Sequence, residues 1–385
     1  MIRPSSREMI ERLVGFDTVS AKSNLALIDF VQDYLESQGA RCRRIGNAEG
    51  TKANLLASLG PDQPGGVVLS GHSDVVPVDG QPWDTDPFTV VEKDGRLYGR
   101  GTADMKSFLA IALGLVPEIV AQPLTRPIHL AFSYDEEVGC TGVASLIDTV
   151  SRHLPDPALV IVGEPTSMQI VNGHKGCFLF ETEIRGQAAH SSLPQLGANA
   201  ITAAGKMIAH IAGLAAEKRA AADPENPFDP PYTTFNMGEI NGGKAINIVA
   251  QDCRFTWEFR PVPGEDTDAI IAEVERFTME EVLPGLQEFA PQASIETRRP
   301  ATVLPLAPEK DGAAESLVRR LTGANDSAVV SFGTEGGLFQ AAGLSTVVFG
   351  PGSIDQAHQA NEFIVLEQVA ACEAFLLKLC DWARG

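Results

Sequence analysis

The chain has 385 residues, of which 44% are hydrophobic and 21% are charged, a composition typical of a soluble globular protein with two domains. The formal net charge of −20 argues against nucleic acid or an anionic membrane surface as a partner. No segment is apolar for long enough to span a bilayer, and the polar start "MIRPSSREMIERLV" has no apolar signal region. We therefore expect a cytoplasmic protein, and we expect its six scattered cysteines to be reduced thiols.

The first half of the chain alternates helix-like and strand-like segments. The predicted helices are "REMIERLVGF", "NLALIDFVQDYLESQGA", "DMKSFLAIALGLVPEIV" and "GVASLIDTV". The predicted strands are "NLLASLG", "GVVLSGHSDVV", "PIHLAFSYDEE" and "ALVIVGEPTS". Strands that alternate with helices predict an α/β domain with a layered sheet and helices on both faces.

After His174 the pattern changes, because "FLFETEIRGQ" alternates apolar and polar residues as a half-buried antiparallel strand does. The following segments predict the order βαββαβ, which fits a small α+β sandwich, with "AAADPENPFDPPYTT" as a surface excursion. The chain then returns to an α/β pattern with "GAAESLVRRLTG", "AVVSFG", "STVVFGPG" and a closing helix from Leu366. We predict one α/β domain (1–174 and 300–385) interrupted by an inserted domain (175–299).

Side chains of the kinds that bind metals follow apolar runs at several places along the chain. They are His72, Asp104, Glu136, Glu137, Glu164 and His358. Open α/β sheets build their sites just beyond strand ends, and imidazole with carboxylate is a ligand set suited to zinc. Each residue alone has a plainer interpretation: a turn, a helix start, a loop acid or a surface histidine. Their repetition favours a metal site.

Two local patterns add detail to this prediction. In "SGHSDV", Asp74 is placed to accept a hydrogen bond from the second ring nitrogen of His72 and so to fix its tautomer, although the segment is also turn-rich. In "SYDEEVG", three carboxylates, Asp135 to Glu137, crowd at a strand end. They lie either on a solvated turn or around a cation. Cys140 follows them closely, and packing is the favoured role for its thiol.

The motifs "SGHSDVVPV", "RGTADMK", "DEEVG", "VGEP" and "GPGSIDQAHQANEF" occur in this order. With them the chain resembles the co-catalytic di-zinc aminoacylases and carboxypeptidases. This family includes acetylornithine deacetylase, succinyl-diaminopimelate desuccinylase and carboxypeptidase G. The resemblance covers nearly the whole chain, including "GQAAHSSLPQLGANAI" in the insert. It implies a phosphorylase/aminopeptidase-like three-layer catalytic domain with a mixed sheet, interrupted by a dimerisation or lid domain.

The resemblance also implies a role for each matching residue. His72 and Glu164 would hold one Zn²⁺, Glu137 and His358 the other, and Asp104 would bridge both; Co²⁺ suits the same ligands. Asp74 would support His72, Glu136 would be the general base, and His190 would polarise the scissile carbonyl in the active site of a partner subunit. Asn247 and Arg260 would bind the substrate carboxylate. For His190 and Arg260 the plainer interpretations are a capped turn and a solvated strand-end charge.

The closing motif and "GTEGGLF" are most similar to those of the acetylornithine deacetylases, which predicts hydrolysis of N2-acetyl-L-ornithine to L-ornithine and acetate. Glu335 is a candidate partner for the cationic side chain of that substrate, or a turn acid. Other substrates stay open: N-succinyl-diaminopimelate, acetylcitrulline, further N-acyl amino acids and dipeptides. A non-catalytic binding protein on the same scaffold is the remote alternative. The expected assembly is a homodimer formed through the inserted domain.

Overall fold

A mixed eight-stranded sheet is the largest feature of the computed structural model, which describes residues 4–157 and 159–385. The chain divides into two compact units. The first comprises residues up to 173, then 306–329 and 334–385, and the second comprises His174–Pro305 and Val330–Gly333. In the part of the chain that the structure describes, no helix combines the length and the apolar character needed to cross a bilayer.

The first unit carries most of the helices. They are α1 (Ser6–Val14), α2 (Leu25–Ser37), α3 (Lys106–Gly114), α4 (Val116–Val120), α5 (Val143–His153), α9 (Ala313–Thr322), α10 (Gly336–Ala341) and α11 (Leu366–Arg384). Its strands are β1 (Arg41–Gly46), β2 (Ala53–Leu59), β3 (Val67–His72), β4 (Val91–Lys93), β5 (Arg96–Tyr98), β6 (Ile128–Ser133), β7 (Leu159–Val162), β8 (Val171–His174), β13 (Ala328–Val330), β14 (Thr346–Val348) and β15 (Phe363–Val365).

The large sheet has the strand order β1-β2-β6-β3-β7-β14-β8-β13. Strands β6, β3, β7 and β14 run parallel to one another, whereas β1, β2 and β8 pair antiparallel with their neighbours. Every residue of β2, β3 and β6 is buried, so both faces of the sheet centre are covered, as in α/β proteins. The predicted α/β class with a mixed sheet is confirmed. Strands β15, β5 and β4 form a separate three-stranded sheet.

Helices of the first unit begin and pack as their sequences predict. Ser5 caps α1 and Glu8 reaches back to the Ser5 main chain, which forms a capping box. Helix α3 is buried along its whole length, and after Lys106 and Ser107 in its first turn it has only apolar residues and a glycine. The predicted helix through Val120 is instead two helices, α3 and α4, because Pro117 lacks an amide hydrogen and can occupy only the first turn of a helix.

The second unit has the order βαββαβ. Its elements are β9 (Cys177–Arg185), α6 (Ala200–Ala220), β10 (Thr234–Gly242), β11 (Asp252–Arg260), α7 (Thr267–Phe277), a π-helical turn (Thr278–Val282), α8 (Leu283–Gln287) and β12 (Ser294–Val303). The strands form an antiparallel sheet in the order β10-β11-β9-β12. Burial alternates along β9 and β11, and their inward aromatic rings stack, with Phe180 and Trp257 centroids 4.1 Å apart.

The second unit extends further than residue 299. Strand β12 keeps its register on β9 to the pair Val303↔Cys177, so the unit ends at Pro305. It also includes the short segment Val330–Gly333, which the sequence did not predict. Strands β1, β4, β5, β8 and β15 were missed as well. Strand β1 has the sequence RCRRIG and lies at a sheet edge, so it has neither an apolar run nor a clean alternation.

Candidate active site

Three neighbouring parallel strands of the first unit end at the same edge of the sheet. Strand β3 ends at His72, β6 ends three residues before Glu136, and β7 ends two residues before Glu164. Because parallel strands place their carboxyl ends together, these side chains converge beyond the sheet edge. Each strand is buried, which fixes the positions from which the side chains project.

Asp104 lies between two imidazoles. Its Oδ1 is 3.0 Å from Nε2 of His72, and its Oδ2 is 3.2 Å from Nε2 of His358. The same His358 nitrogen is 3.0 Å from Oε2 of Glu137, and the His72 nitrogen is 3.8 Å from Oε1 of Glu164. The cluster therefore has two halves, one around each imidazole, and Asp104 contributes one carboxylate oxygen to each half.

The ionisation of this cluster follows from its crowded charges. Burial opposes protonation of His72, but the carboxylates of Asp104 and Glu164 outweigh it and hold the pKa of His72 well above its ordinary value. Hydrogen bonds to Asp104 and Glu137 raise the pKa of His358 to about 10. Loss of water contact raises the pKa of Glu137 to about 7, with the nearby Asp104 charge adding to it. The raised pKa values of His72, His358 and Glu137 mean that bound protons offset the crowded negative charge, as bound cations also would.

The donor set fits divalent metal ions. One ligand atom each of His72, Glu136 and Glu164 lie within 4.8 Å of one another, and so do those of His72, Asp104 and Glu137. Carboxylates this close repel one another unless cations lie among them, and imidazole nitrogen with carboxylate oxygen is a suitable set for zinc. These residues could hold two metal ions with Asp104 between them.

The environment of Asp74 differs from the prediction. Nδ1 of His72 is 2.8 Å from the main-chain carbonyl oxygen of Asp74, whereas the nearest Asp74 carboxylate oxygen is 3.8 Å away. The carboxylate instead accepts hydrogen bonds from the Ser20 hydroxyl at 2.7 Å and from the main-chain amides of Glu136 and Glu137 at 3.2 and 3.4 Å. Asp74 therefore fixes the His72 tautomer through its main chain and positions the two glutamates through its side chain.

Glu136 lies in a tight turn that Cys140 closes. The amide of Cys140 donates to the Glu136 carbonyl at 2.8 Å, and its thiol donates to Glu136 Oε1 at 3.4 Å. Glu136 makes no ion pair with either imidazole, unlike Glu137. Loss of water contact raises the pKa of Glu136 to about 8, and the neighbouring carboxylates of Glu137 and Asp104 add to the rise. Cys140, for which packing was favoured, is thus a hydrogen-bond donor to Glu136.

Asp135 has a separate partner. Its carboxylate forms an ion pair with Lys52, whose ammonium group also donates to the main-chain carbonyl of Ser20. This ion pair takes Asp135 out of the crowding at the strand end. Of the three consecutive carboxylates, only Glu136 and Glu137 belong to the cluster.

Glu335 lies buried between two strands of the large sheet. It is fully buried, and its two carboxylate oxygens accept hydrogen bonds from the hydroxyls of Ser70 on β3 and Ser133 on β6, the latter at 2.7 Å. Burial raises its pKa. Both carboxylate oxygens therefore already have hydroxyl partners, and the contact of Glu335 with a cationic substrate side chain stays a prediction.

The remaining predicted residues lie in the second unit. His190 is exposed, and its Nδ1 faces the Ser192 hydroxyl at 2.7 Å and accepts from the Ser192 main-chain amide at 3.2 Å. The neighbouring amide of Ser191 donates to the Asn247 carbonyl at 3.0 Å, so His190 and Asn247 lie on adjacent segments. Arg260 is half-buried and donates through Nε and Nη2 to Glu258 at 3.0 and 3.3 Å.

Several residues near the cluster gave no clear signal in the sequence. They are Ser20, Lys52, Arg100 and Glu362. Arg100 is the first residue of the motif "RGTADMK" that carries Asp104, and Glu362 lies in "GPGSIDQAHQANEF", four residues after His358. For Arg100 and Glu362, the position inside a motif was an available signal. Ser20 and Lys52 lie outside the motifs, and their contacts join segments far apart in the chain.

Comparison with known proteins agrees with this geometry. A profile of peptidase family M20/M25/M40 matches residues 68–381. An acetylornithine deacetylase of Myxococcus xanthus is 36% identical over 389 residues, covering 97% of this chain and 96% of that protein. An acetylornithine deacetylase of Proteus mirabilis is 35% identical over 376 residues, covering 94% and 92%. The predicted resemblance to acetylornithine deacetylase is confirmed.

Solved structures share the fold at lower identity. A Staphylococcus aureus tripeptidase superposes with a TM-score of 0.75 at 20% identity and covers 100% of this chain and 99% of its own. A dinuclear metal-binding peptidase of Bacillus subtilis superposes with a TM-score of 0.63 at 15% identity and covers 98% and 97%. The fold, the profile match and the full-length relatives lead to one conclusion: the chain belongs to peptidase family M20/M25/M40 and is a hydrolase.

Proposed function

We propose that the protein is a metal-dependent amidohydrolase that removes the acyl group from an N-acyl amino acid, with N2-acetyl-L-ornithine as its preferred substrate. The observation that carries the proposal is Asp104 between two imidazoles, with Glu136 beside them and outside their ion pairs. The names of the full-length relatives favour acetylornithine. Release of ornithine and acetate would make the protein a cytoplasmic enzyme of arginine biosynthesis.

His72 and Glu164 are the ligands we assign to one metal ion, Glu137 and His358 to the other, and Asp104 to both. When bound, two divalent ions, zinc or cobalt in its place, lower the pKa of a water molecule and polarise a carbonyl group. Nδ1 of His72 is 2.8 Å from the carbonyl of Asp74, so this nitrogen carries the proton and Nε2 is left free as the ligand atom.

Glu136 is the proton carrier in this proposal. Its carboxylate accepts a proton from the attacking water and transfers it to the amine nitrogen as the carbon–nitrogen bond breaks. The products are the carboxylate of the acyl group and a free amino acid, so the atoms of amide and water are all accounted for. Asp74 holds the Glu136 main chain and Cys140 donates to Oε1, which keeps the carboxyl group in one orientation.

His190 is the proposed donor to the carbonyl oxygen of the substrate. Because the Ser192 main-chain amide donates to Nδ1, the neutral ring carries its proton on Nε2 and can donate from there. Donation stabilises the negative charge that develops on the oxygen. Asn247 and Arg260 stay predicted contacts of the substrate carboxylate. Arg260 would have to use a donor that does not already bond to Glu258.

We propose a homodimer that forms through the second unit. Strand β10 is an edge strand of its sheet. Ile240 on this strand is exposed, and so are Ile246 and Ile248 on the connection from β10 to β11. An unpaired strand edge with exposed isoleucines on and beside it favours pairing with a second copy. Within such a dimer, His190 would act in the site of the neighbouring chain.

A substrate panel tests the proposal. Purified protein would be loaded with zinc to two ions per chain and assayed with N2-acetyl-L-ornithine, N-succinyl-L-diaminopimelate, N-acetyl-L-citrulline and a dipeptide. We expect kcat/KM for acetylornithine to exceed the others by about 10-fold or more. If kcat/KM for another panel member is higher by orders of magnitude, that compound would replace acetylornithine as the proposed substrate. No turnover of any member at full metal loading would favour a non-catalytic binding protein.

A further inference from the structure

Glu362, in the motif "QANEF", has a position that the proposed mechanism does not use. It is 1% exposed, and its carboxylate accepts hydrogen bonds from three amides of the segment that carries Asp104. Oε1 accepts from Ala103 at 2.7 Å, from Asp104 at 3.0 Å and from Gly101 at 3.1 Å. One buried side chain therefore holds the main chain on which Asp104 stands.

Arg100 neutralises this carboxylate. The guanidinium group is also buried, and its Nη1 donates to Glu362 Oε2 at 2.7 Å. The same nitrogen donates to the Gln359 carbonyl at 3.2 Å, and the group lies 5.1 Å from the Trp83 ring centroid. A buried carboxylate that makes charge-assisted bonds to a guanidinium and to several amides is held in a single orientation.

The network reaches His358 as well. Arg100 Nη2 donates to the side-chain oxygen of Gln81, and the Gln81 amide donates to the main-chain carbonyl of His358 at 2.9 Å. Glu362 itself lies only four residues after His358. The network therefore joins the segments that carry Asp104 and His358, whose side chains meet at 3.2 Å.

We infer that Glu362 and Arg100 are positioning residues that set the distance between Asp104 and His358, and so preform the half of the metal site around His358. The inference rests on the metal assignment in the proposed function. Glu362 is not itself a ligand, because its oxygens are directed at the amides and the guanidinium. His358 is half exposed, so it has less packing of its own than His72 to hold it in place.

Glu362→Gln is the principal test, because glutamine keeps the shape of the side chain but removes its charge. Its NH₂ group would also face hydrogen-bond donors, namely the main-chain amides or the Arg100 guanidinium. Glu315→Gln is the control: Glu315 is a partly buried carboxylate that, like the fully buried Glu362, pairs with an arginine, here Arg319, and accepts from an amide, here the side chain of Asn172. Glu362→Asp keeps the charge but shortens the reach, and it serves if the glutamine variant fails to fold.

Two measurements are made on each variant. The first is zinc affinity by competition with a chelator, where we expect one of the two sites to lose about 10-fold or more in the Glu362 variants and neither site to lose affinity in the control. The second is amide hydrogen exchange in the metal-free protein, where we expect faster exchange in residues 97–104 of the Glu362 variants only. This second readout needs neither metal nor activity.

Unchanged zinc affinity at both sites in the Glu362 variants would overturn the inference, as would an equal loss in the Glu315 control, which would indicate general destabilisation. Failure of the proposed function has a different signature: the wild-type chain would then bind no pair of zinc ions, or bind them without hydrolysing any acyl amino acid. Faster exchange together with selective loss of one zinc site supports the inference.

Discussion

The predicted chemistry is divided between two regions that differ in how their side chains are held. In the first unit, the residues of the cluster contact one another, and buried groups such as Asp74 and Glu362 hold their main chain. In the second unit, His190 and Asn247 are exposed and lie on adjacent segments that a main-chain hydrogen bond joins. The difference indicates that the first region is organised by its own chain, whereas the second needs a substrate or a second copy to exclude water around it.

The largest expected effect tests the buried region. Glu136→Gln should lower kcat by about 10³-fold, because the amide cannot carry the proton from water to the leaving amine. Bound zinc, measured by elemental analysis, should stay at two ions per chain. Glu137→Gln is the comparison, since it should lose metal as well as activity. If Glu136→Gln also lost metal, Glu136 would be a ligand and not the base.

A smaller effect is expected in the exposed region. His190→Ala should lower kcat by about 100-fold with zinc content unchanged, because one donor to the developing negative charge is lost. Ser192→Ala is the matched control: it removes the hydroxyl but keeps the main-chain amide that sets the tautomer, so its activity should stay close to wild type. Near-normal turnover by His190→Ala would remove His190 from the mechanism.

The same two variants test whether His190 acts across a dimer. Subunits of Glu136→Gln and His190→Ala would be mixed, dissociated and reassociated. If His190 serves the neighbouring chain, each mixed dimer has one complete site, and activity should recover to about a quarter of wild type. No recovery, with dimer formation verified, would place His190 in the site of its own chain.

The smallest expected effect concerns stability of the metal-free protein. The pKa of Glu136 is raised to about 8, that of Glu137 to about 7 and that of His358 to about 10, so the folded state holds protons that the unfolded state releases. Stability contributed in this way is present at low pH and is lost as pH rises through these values.

The melting temperature of the metal-free protein should therefore fall between pH 6 and pH 9, by about 1 °C for each kcal/mol of stability lost in a chain of 385 residues. Glu136→Gln should show a shallower fall, because one titrating group is missing. Zinc should reduce the dependence, since the metals take the place of the protons. A melting temperature of the metal-free protein that rises over this range would contradict the proton assignment.

The fold was largely predictable wherever an element is buried on a regular pattern. Strands β3, β6 and β7 are continuous apolar runs, and helix α6 has a capping Asn199 and an apolar face. Strands β1, β4 and β5 were not predictable, since they are short or polar, and β1 and β4 also lie at sheet edges. Such strands form because a neighbouring strand offers hydrogen bonds, and a local pattern does not record that neighbour.

The sequence by itself determined the family, the α/β class and the ligand types at the strand ends, since residue type and strand position are both local properties. Only the tertiary structure decided how Asp74 supports His72, that Lys52 pairs with Asp135, that Glu335 is buried between Ser70 and Ser133, and that Glu362 holds the Asp104 segment. These contacts join residues far apart in the chain. Whether a carboxylate meets a hydroxyl, an amide or solvent depends on packing, which sequence spacing does not specify.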